Sequence, residues 1–324
     1  MFAARGFAVS FSIFFILYSV LSLAVCLVWR RLWVRSHRGS ARGCADLLFW
    51  LRMLPLAVAM GATLIFAVPS FLLLEPRSVE ESMGAVALLL GCCGIAVMLA
   101  GAWNAGAALA RAGRTVAEWS RDARVLLMCS GDVDSGQPVR VMRTAVPAPP
   151  LTAAGILRPR VWLSGAAEFV LTERELKSAL RHEMVHVRRR DNLRKLFLRL
   201  VAFPGMVQLE TAWREATEMA ADDAAVSSPS EALDLAAAVI KLSRLAPLQP
   251  PAELATALVH SPAESVNARV ERLIRWTERR ESPSRNYSLV YTFWGGGVAA
   301  AITVALTYSE LLVRVHAVSE WLVR

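Results

Sequence analysis

The chain has 324 residues and a mass of 35.4 kDa, with 55% hydrophobic residues, 19% charged residues and a formal net charge of +9. Intrinsic disorder and a fibrous architecture are excluded, because so much apolar surface must be buried in a core or in lipid. Mean hydropathy is +0.42, which makes an ordinary soluble enzyme doubtful and directs attention to uncharged runs of about 20 residues.

Four such runs occur, at residues 7–29, 53–74, 82–110 and 286–309. Each is long enough to cross a hydrocarbon core of about 30 Å at about 1.5 Å per residue. The first is too long for a signal-peptide core and runs directly into arginines, so it reads as a retained span. Pro55 and Pro69 in the second run, and three consecutive glycines at 295–297 in the fourth, are tolerable where neighbouring helices satisfy the freed backbone groups. The loop after the first run holds Arg30, Arg31, Arg35, Arg38 and Arg42, whereas the loop after the second holds Glu75, Arg77, Glu80 and Glu81. By the positive-inside rule the first loop is cytoplasmic, which places the N-terminus outside and the long stretch 111–285 in the cytoplasm. The expected organisation is a three-span region at 1–110, a cytoplasmic domain at 111–285, and a fourth span with a short external tail at 286–324. Arginines bordering the spans account for the positive charge through topology and headgroup attraction, and no direct nucleic-acid partner is needed. Cys26, Cys44, Cys92, Cys93 and Cys129 show neither a disulfide framework nor metal-site spacing.

Within the cytoplasmic stretch, 111–124 continues the third span as a helix. Residues 139–146 alternate apolar and polar side chains and predict a strand, and a proline-rich turn follows at 147–150. Residues 155–163 predict a second strand, in which Pro159 argues for an edge position. Such an edge can take an extended peptide, with Ile156, Arg158, Arg160 and Trp162 along it. Thr172 and Glu175 have the spacing of a capping box and open a helix with Leu176, Leu180, Met184 and Val187 on its buried side. A later helix spans about 211–226. Ser228 with Glu231 and Ser261 with Glu264, each with proline at the first helical position, open two more. A small sheet followed by several helices is an α+β arrangement.

The chemistry is concentrated on the first of these helices. His182 and His186 are four residues apart, so both imidazoles project from one face and can share one tetrahedral Zn2+. Glu183 sits beside them, where it can take a proton from water activated by the ion. A catalytic zinc needs a third protein ligand and an open position. Val187-Arg-Arg-Arg190 follows His186 at once, with no third histidine nearby, so a glutamate from another helix is the remaining option. Glu218 and Asp222 share a helix face among alanines: Glu218 is assigned to the metal, and Asp222 to the free ring N–H of a ligating histidine. Glu215 lies one turn away and stays open as an alternative ligand. His260 and Arg269 are candidate donors to the oxyanion of peptide hydrolysis. The stripe Leu193, Leu196, Phe197, Leu200 and Val201 fits either core packing or a surface lying on the bilayer.

Gly155-Ile-Leu-Arg-Pro-Arg-Val-Trp-Leu163, the Leu171-Thr-x-x-Glu-Leu segment, His182-Glu-x-x-His186 with Arg189-Arg-Asp-Asn-Leu193, and Arg214-Glu-x-x-Glu218-x-x-x-Asp222 resemble the BlaR/MecR-type antirepressor membrane metallopeptidases. The resemblance implies a mainly α-helical polytopic membrane protein with four transmembrane helices and a cytoplasmic α+β gluzincin-type zinc metalloprotease domain between spans three and four. It implies one Zn2+ held by His182, His186 and Glu218, with Glu183 as general base, in a bacterial inner membrane. The implied substrate is a cytoplasmic protein, typically a transcriptional repressor. The antibiotic sensors of this family carry an external penicillin-binding domain after span four. This sequence ends at Arg324, so β-lactam binding is not expected, and the stimulus would come from a separate sensor protein or through a homo-oligomer. Ala202-Phe-Pro-Gly-Met206 departs from the aromatic-Asn-Pro stretch that precedes the glutamate helix in the family. Two other readings stay open: a quality-control or prenyl-protease-like maturation protease, and a non-enzymatic signalling module with structural zinc.

Overall fold

A computed structural model describes residues 2–36, 40–75, 84–129, 139–144, 149–201, 203–245, 254–257, 263–278 and 307–321. They form two compact units, one of residues 1–27, 53–100 and 280–324 and one of residues 28–52 and 101–279. The boundaries fall inside helices. The expected boundary between 110 and 111 lies in the middle of one, and residues 28–52 cluster with the larger unit.

The smaller unit is built from helices α1 (Phe2–Ser36), α2 (Ala41–Ala62), α3 (Val68–Leu74) and α4 (Ala85–Ser120), each in part or whole, and from a helix at 307–321, α11. The segments Phe2–Val34, Ala41–Leu74 and Ala85–Ser120 are long and apolar enough to cross a membrane. The expected fourth span at 286–309 lies outside the described residues except for its last three positions, which begin α11. Close approach of α1 and α4 depends on glycine. A Cβ on Gly91 would lie 2.8 Å from the carbonyl oxygen of Ala8, and one on Gly94 would lie 2.4 Å from that of Phe11. The two prolines of the second span are handled in different ways. Pro55 sits inside α2. Pro69 follows a π turn at Thr63–Ala67 and has no N–H for the carbonyl of Ile65, four residues back. The Tyr308 hydroxyl donates to that carbonyl at 2.9 Å, which is how a proline inside a span is reconciled with the demand for satisfied backbone in lipid.

The larger unit contains a five-stranded sheet and the helices that carry the chemistry. The strands are β1 (Arg124–Cys129), β2 (Val139–Thr144), β3 (Leu151–Ala154), β4 (Arg160–Ser164) and β5 (Thr256–Ala257), in the order β1-β2-β4-β3-β5. The β2–β4 pair is parallel and the others are antiparallel. Alternation separates the two faces. Val141, Leu151, Val161 and Leu163 meet helices α6 (Glu173–Arg189) and α9 (Pro229–Leu245) in the main core. Met142, Ala154 and Trp162 pack on the other face with Trp119 from the end of α4.

The expected edge strand at 155–163 is corrected by this topology. Gly155 has a φ of +102° and ends β3, and the chain turns through Ile156, Leu157 and Arg158. Pro159 stands just before β4, where its missing N–H costs the ladder nothing. Arg160 and Trp162 then lie in an interior strand with neighbours on both sides. Ile156 packs with Leu196 against Ala108, Ala112 and Leu254. These four residues therefore do not line a free edge; among the described residues the outer side of β3 pairs with the two-residue β5.

The remaining elements are α5 (Gly165–Val170), α7 (Asp191–Leu200), α8 (Val207–Ala225) and α10 (Ala263–Ile274). The Thr172–Glu175 capping box forms as expected, and Lys241 on α9 adds a 2.8 Å hydrogen bond to the Glu175 carboxylate. At α9 the Ser228 hydroxyl accepts from Glu231 N–H, while the Glu231 carboxylate reaches Ser227 N–H in place of the cap residue. Ser261 lies outside the described residues. The apolar stripe of α7 divides: Leu196 joins the core with α4, Val201 is buried, and Phe197 is exposed. Gly101 on α4 permits contact there, since a Cβ on it would stand 2.3 Å from the carbonyl oxygen of Leu200.

The first half of α2 belongs to this unit. Arg52 donates to the carbonyl oxygens of Met206 at 3.0 Å and Val201 at 3.4 Å, and pairs with Glu210 at 3.4 Å. It thus fixes the turn that leads into α8. Asp46 pairs with Arg194 at 2.6 Å and with Arg189 at 3.4 Å, at the corner between α6 and α7.

Candidate active site

Helix α6 carries His182, Glu183 and His186 on its buried face, beneath β3. The helix stops at Arg190, which adopts a left-handed conformation with φ 53° and ψ 42°. A non-glycine residue there costs about 1 kcal/mol. The corner swings Asp191, the first residue of α7, back over the last turn of α6. There the Asp191 carboxylate accepts from His186 Nδ1 at 2.8 Å. Arg189 Nε stands 3.6 Å from the second oxygen of Asp191.

Helix α8 brings the other carboxylates. Asp222 Oδ1 lies 3.0 Å from His182 Nδ1, and Glu218 lies 3.5 Å from His182 Nε2 and 3.6 Å from His186 Nε2. Small residues make this approach possible: Ala216, Ala220, Ala221 and Ala225 are buried along α8. Glu215 is exposed and stands outside the cluster. Arg269 of α10 donates two hydrogen bonds to Asp222, at 2.9 and 2.7 Å, and reaches Glu218 at 3.1 Å. The guanidinium, expected as an oxyanion donor, is thus engaged with the carboxylates that face the histidines. His260 lies outside the described residues.

Both Nδ1 atoms face a carboxylate, Asp191 for His186 and Asp222 for His182, which leaves the two Nε2 atoms turned toward each other and toward Glu218. The two Nε2 atoms are 3.1 Å apart; the proton that His182 keeps in the metal-free site bridges them, and a bound cation would take the place of that proton. An ion bound tetrahedrally at about 2.0–2.1 Å spaces its ligand atoms roughly 3.3–3.4 Å apart. The observed separations of 3.1, 3.5 and 3.6 Å bracket that value. His182, His186 and Glu218 form a group able to hold a metal ion, and the imidazole–imidazole–carboxylate set suits zinc.

Charges within the cluster are strongly shifted. Burial pushes the His182 imidazolium down, but the carboxylates of Asp222 and Glu218 outweigh it and raise His182 to about 9. Burial raises Glu218, and the opposing pull of His186 and Arg269 brings it to about 2. Asp222 is likewise held well below the usual carboxylate range, its burial overcome chiefly by Arg269. Glu183 goes the other way: burial lifts it to about 7 against the neighbouring histidines. One of its oxygens accepts the Ala153 N–H at 2.8 Å, and the other has no hydrogen-bond partner among the described residues. Asn192 completes the frame by donating to the carbonyl oxygens of Ala153 at 3.0 Å and Gly155 at 3.3 Å, which pins β3 over α6.

Two residues beside the centre carry no signal that periodicity could give. Asp191 needs the left-handed corner to reach His186. Lys195 of α7 is half-buried, and loss of water brings its ammonium down to about 8, with Arg214 adding to that effect against the attraction of Glu218, Asp191 and Glu183.

Two ring nitrogens on one helix, a carboxylate from a second helix and a glutamate with one oxygen tied to a strand make up the site of a metallopeptidase. The family model of the BlaR1 peptidase M56 matches residues 51–273, more than half of the chain. The chain belongs to that family. Comparison with curated proteins gives no match.

Proposed function

We propose that this protein is an integral membrane zinc endopeptidase that cleaves a cytoplasmic protein, a transcriptional repressor, and so carries a signal across the bacterial inner membrane. The observation that carries the hydrolase reading is the pair of Nε2 atoms 3.1 Å apart beside Glu218 and Glu183. Family membership supports a membrane peptidase with a signalling role. The arginine-rich first loop supports a cytoplasmic catalytic unit.

A zinc ion bound by His182, His186 and Glu218 supplies Lewis acidity, which makes water acidic enough to lose a proton near neutrality and polarises a carbonyl. The chain does the rest. Ala153 N–H holds one oxygen of Glu183, so the free oxygen is directed at the attacking water and takes its proton as the C–O bond forms. Glu183 then gives that proton to the amine nitrogen as the C–N bond breaks. Asp191 and Asp222 fix the two imidazoles, and Arg269 holds Glu218 against rotation. The substrate reaches the centre as an extended segment along the outer side of β3.

The test compares membranes that contain the wild-type protein with membranes that contain Glu183→Ala, by mapping new protein N-termini. A single repressor fragment that appears only with the wild type is expected, while the variant retains zinc. A broad set of membrane-protein fragments would replace this reading with quality control, and an active Glu183→Ala protein would remove the assigned base.

A further inference from the structure

A cation beside the metal centre is not used in the chemistry above. Lys195 Nζ donates to the carbonyl oxygen of Ala255 at 2.7 Å. Ala255 is buried and directly precedes β5, which lies along the outer side of β3 with Thr256 opposite Ala153. Ala153 is also the residue whose N–H holds Glu183. The ammonium therefore grips a main-chain carbonyl one residue from the strand pair nearest the general base.

The neighbouring cations of α7 behave differently. Arg194 pairs with Asp46 and Arg199 with Glu210, both carboxylates away from the centre. Among the described residues, Lys195 alone of the three takes a peptide carbonyl, on the strand edge where substrate is proposed to lie. Lys195 is half-buried, and even partial loss of water is costly for an ammonium that is not well paired; a carboxylate partner would have been the ordinary solution on a purely structural helix face. The ladder between β5 and β3 has two residue pairs, and an extended peptide in its place could pair along all four residues of β3.

We infer that Lys195 is a substrate-binding residue whose ammonium takes a main-chain carbonyl of the extended polypeptide lying on β3, and thereby sets which peptide bond stands over the metal centre. The inference rests on the peptidase reading of the site and adds to it a backbone contact that reads no side chain. Lys195 thus favours unfolded or extended polypeptide over small amides and contributes register without sequence preference.

The experiment uses the zinc-loaded full-length protein in detergent micelles and measures binding of two probes by titration calorimetry. One is a hexa-alanine pseudopeptide with a central phosphinate in place of one peptide bond, and the other is acetohydroxamic acid, which reaches only the metal. Lys195→Met is expected to weaken the pseudopeptide by roughly ten- to a hundredfold, the usual weight of a hydrogen bond from a charged donor, with acetohydroxamic acid changed less than twofold. Lys195→Arg restores pseudopeptide binding to within about threefold. If Lys195 only pins β5, its loss frees the edge, and unchanged or tighter pseudopeptide binding overturns the inference. Failure of acetohydroxamic acid to bind the wild-type protein overturns the metallopeptidase reading itself. Should Lys195→Met not fold, Lys195→Gln, a neutral donor of similar length, gives the same comparison with a smaller loss.

Discussion

Replacing Asp191 with alanine removes the acceptor that holds His186 Nδ1 at 2.8 Å, in a place where both partners are almost wholly buried. A hydrogen bond to a charged group in such a setting contributes about 1.5–3 kcal/mol. At about 1.4 kcal/mol per factor of ten, that corresponds to a loss of roughly 10- to 150-fold in zinc affinity. Loss of a partner behind a metal-bound histidine gives a comparable 10- to 100-fold. The cost to folding is small by comparison, because Arg189, the other neighbour of Asp191, keeps Asp46 at 3.4 Å and is not left as an unpaired buried charge. Asp191→Asn keeps the shape and a neutral acceptor, so its loss is expected at the lower end, about tenfold. Competition with a chromogenic chelator on the purified full-length protein measures both constants. The reasoning fails if both variants bind zinc within twofold of wild type, or if the asparagine variant is the weaker of the two.

Zinc binding at pH 7.5 is expected to release about one proton per ion, because the imidazole of His182 is held near 9 in the metal-free protein and must give up its proton to become a ligand; calorimetry in buffers of different ionisation enthalpy reads this directly. Gly101→Ala is expected to destabilise the larger unit by about 1–3 kcal/mol, since the new methyl group would meet the Leu200 carbonyl oxygen at 2.3 Å; thermal melting with unchanged zinc content checks it. Glu175 is depressed, its burial outweighed by Lys241 and the Thr172 backbone, so its folded pKa lies below its unfolded one. Its contribution is present above the unfolded pKa and disappears as pH falls through the folded value, on the acid side of 4.5. Urea midpoints followed downward from pH 6 are therefore expected to fall less steeply in Glu175→Gln.

The convergence of His182, His186 and Glu218 was legible because the separations of the histidines on one helix, and of Glu218 and Asp222 on a second, are consequences of helical period alone. The capping box at Thr172 was legible for a similar reason: its partners are three residues apart and need no tertiary context. Strand β3 was not, since Leu151-Thr-Ala-Ala154 has two alanines and follows a proline run, a pattern with little strand preference. Missing it shifted the neighbouring strand outward and turned an interior position into an edge. Nor could the pattern show β5, whose two residues have meaning only against β3. Arg269 was noticed as a candidate, yet its burial against Glu218 and Asp222 depends on how α10 returns to α8, which lies beyond local sequence.

The first half of α2 and the second half of α4 are built into the catalytic unit: Asp46 and Arg52 fasten the corner of α6 and the entry to α8, and Gly101, Ala108 and Ala112 wall in α7. A soluble fragment cut at residue 111 would therefore lack two sides of its own scaffold. The two helices that carry apolar, span-length segments thus also serve as masonry around the histidine–carboxylate cluster, and neither could be exchanged for an arbitrary anchor without unsettling it.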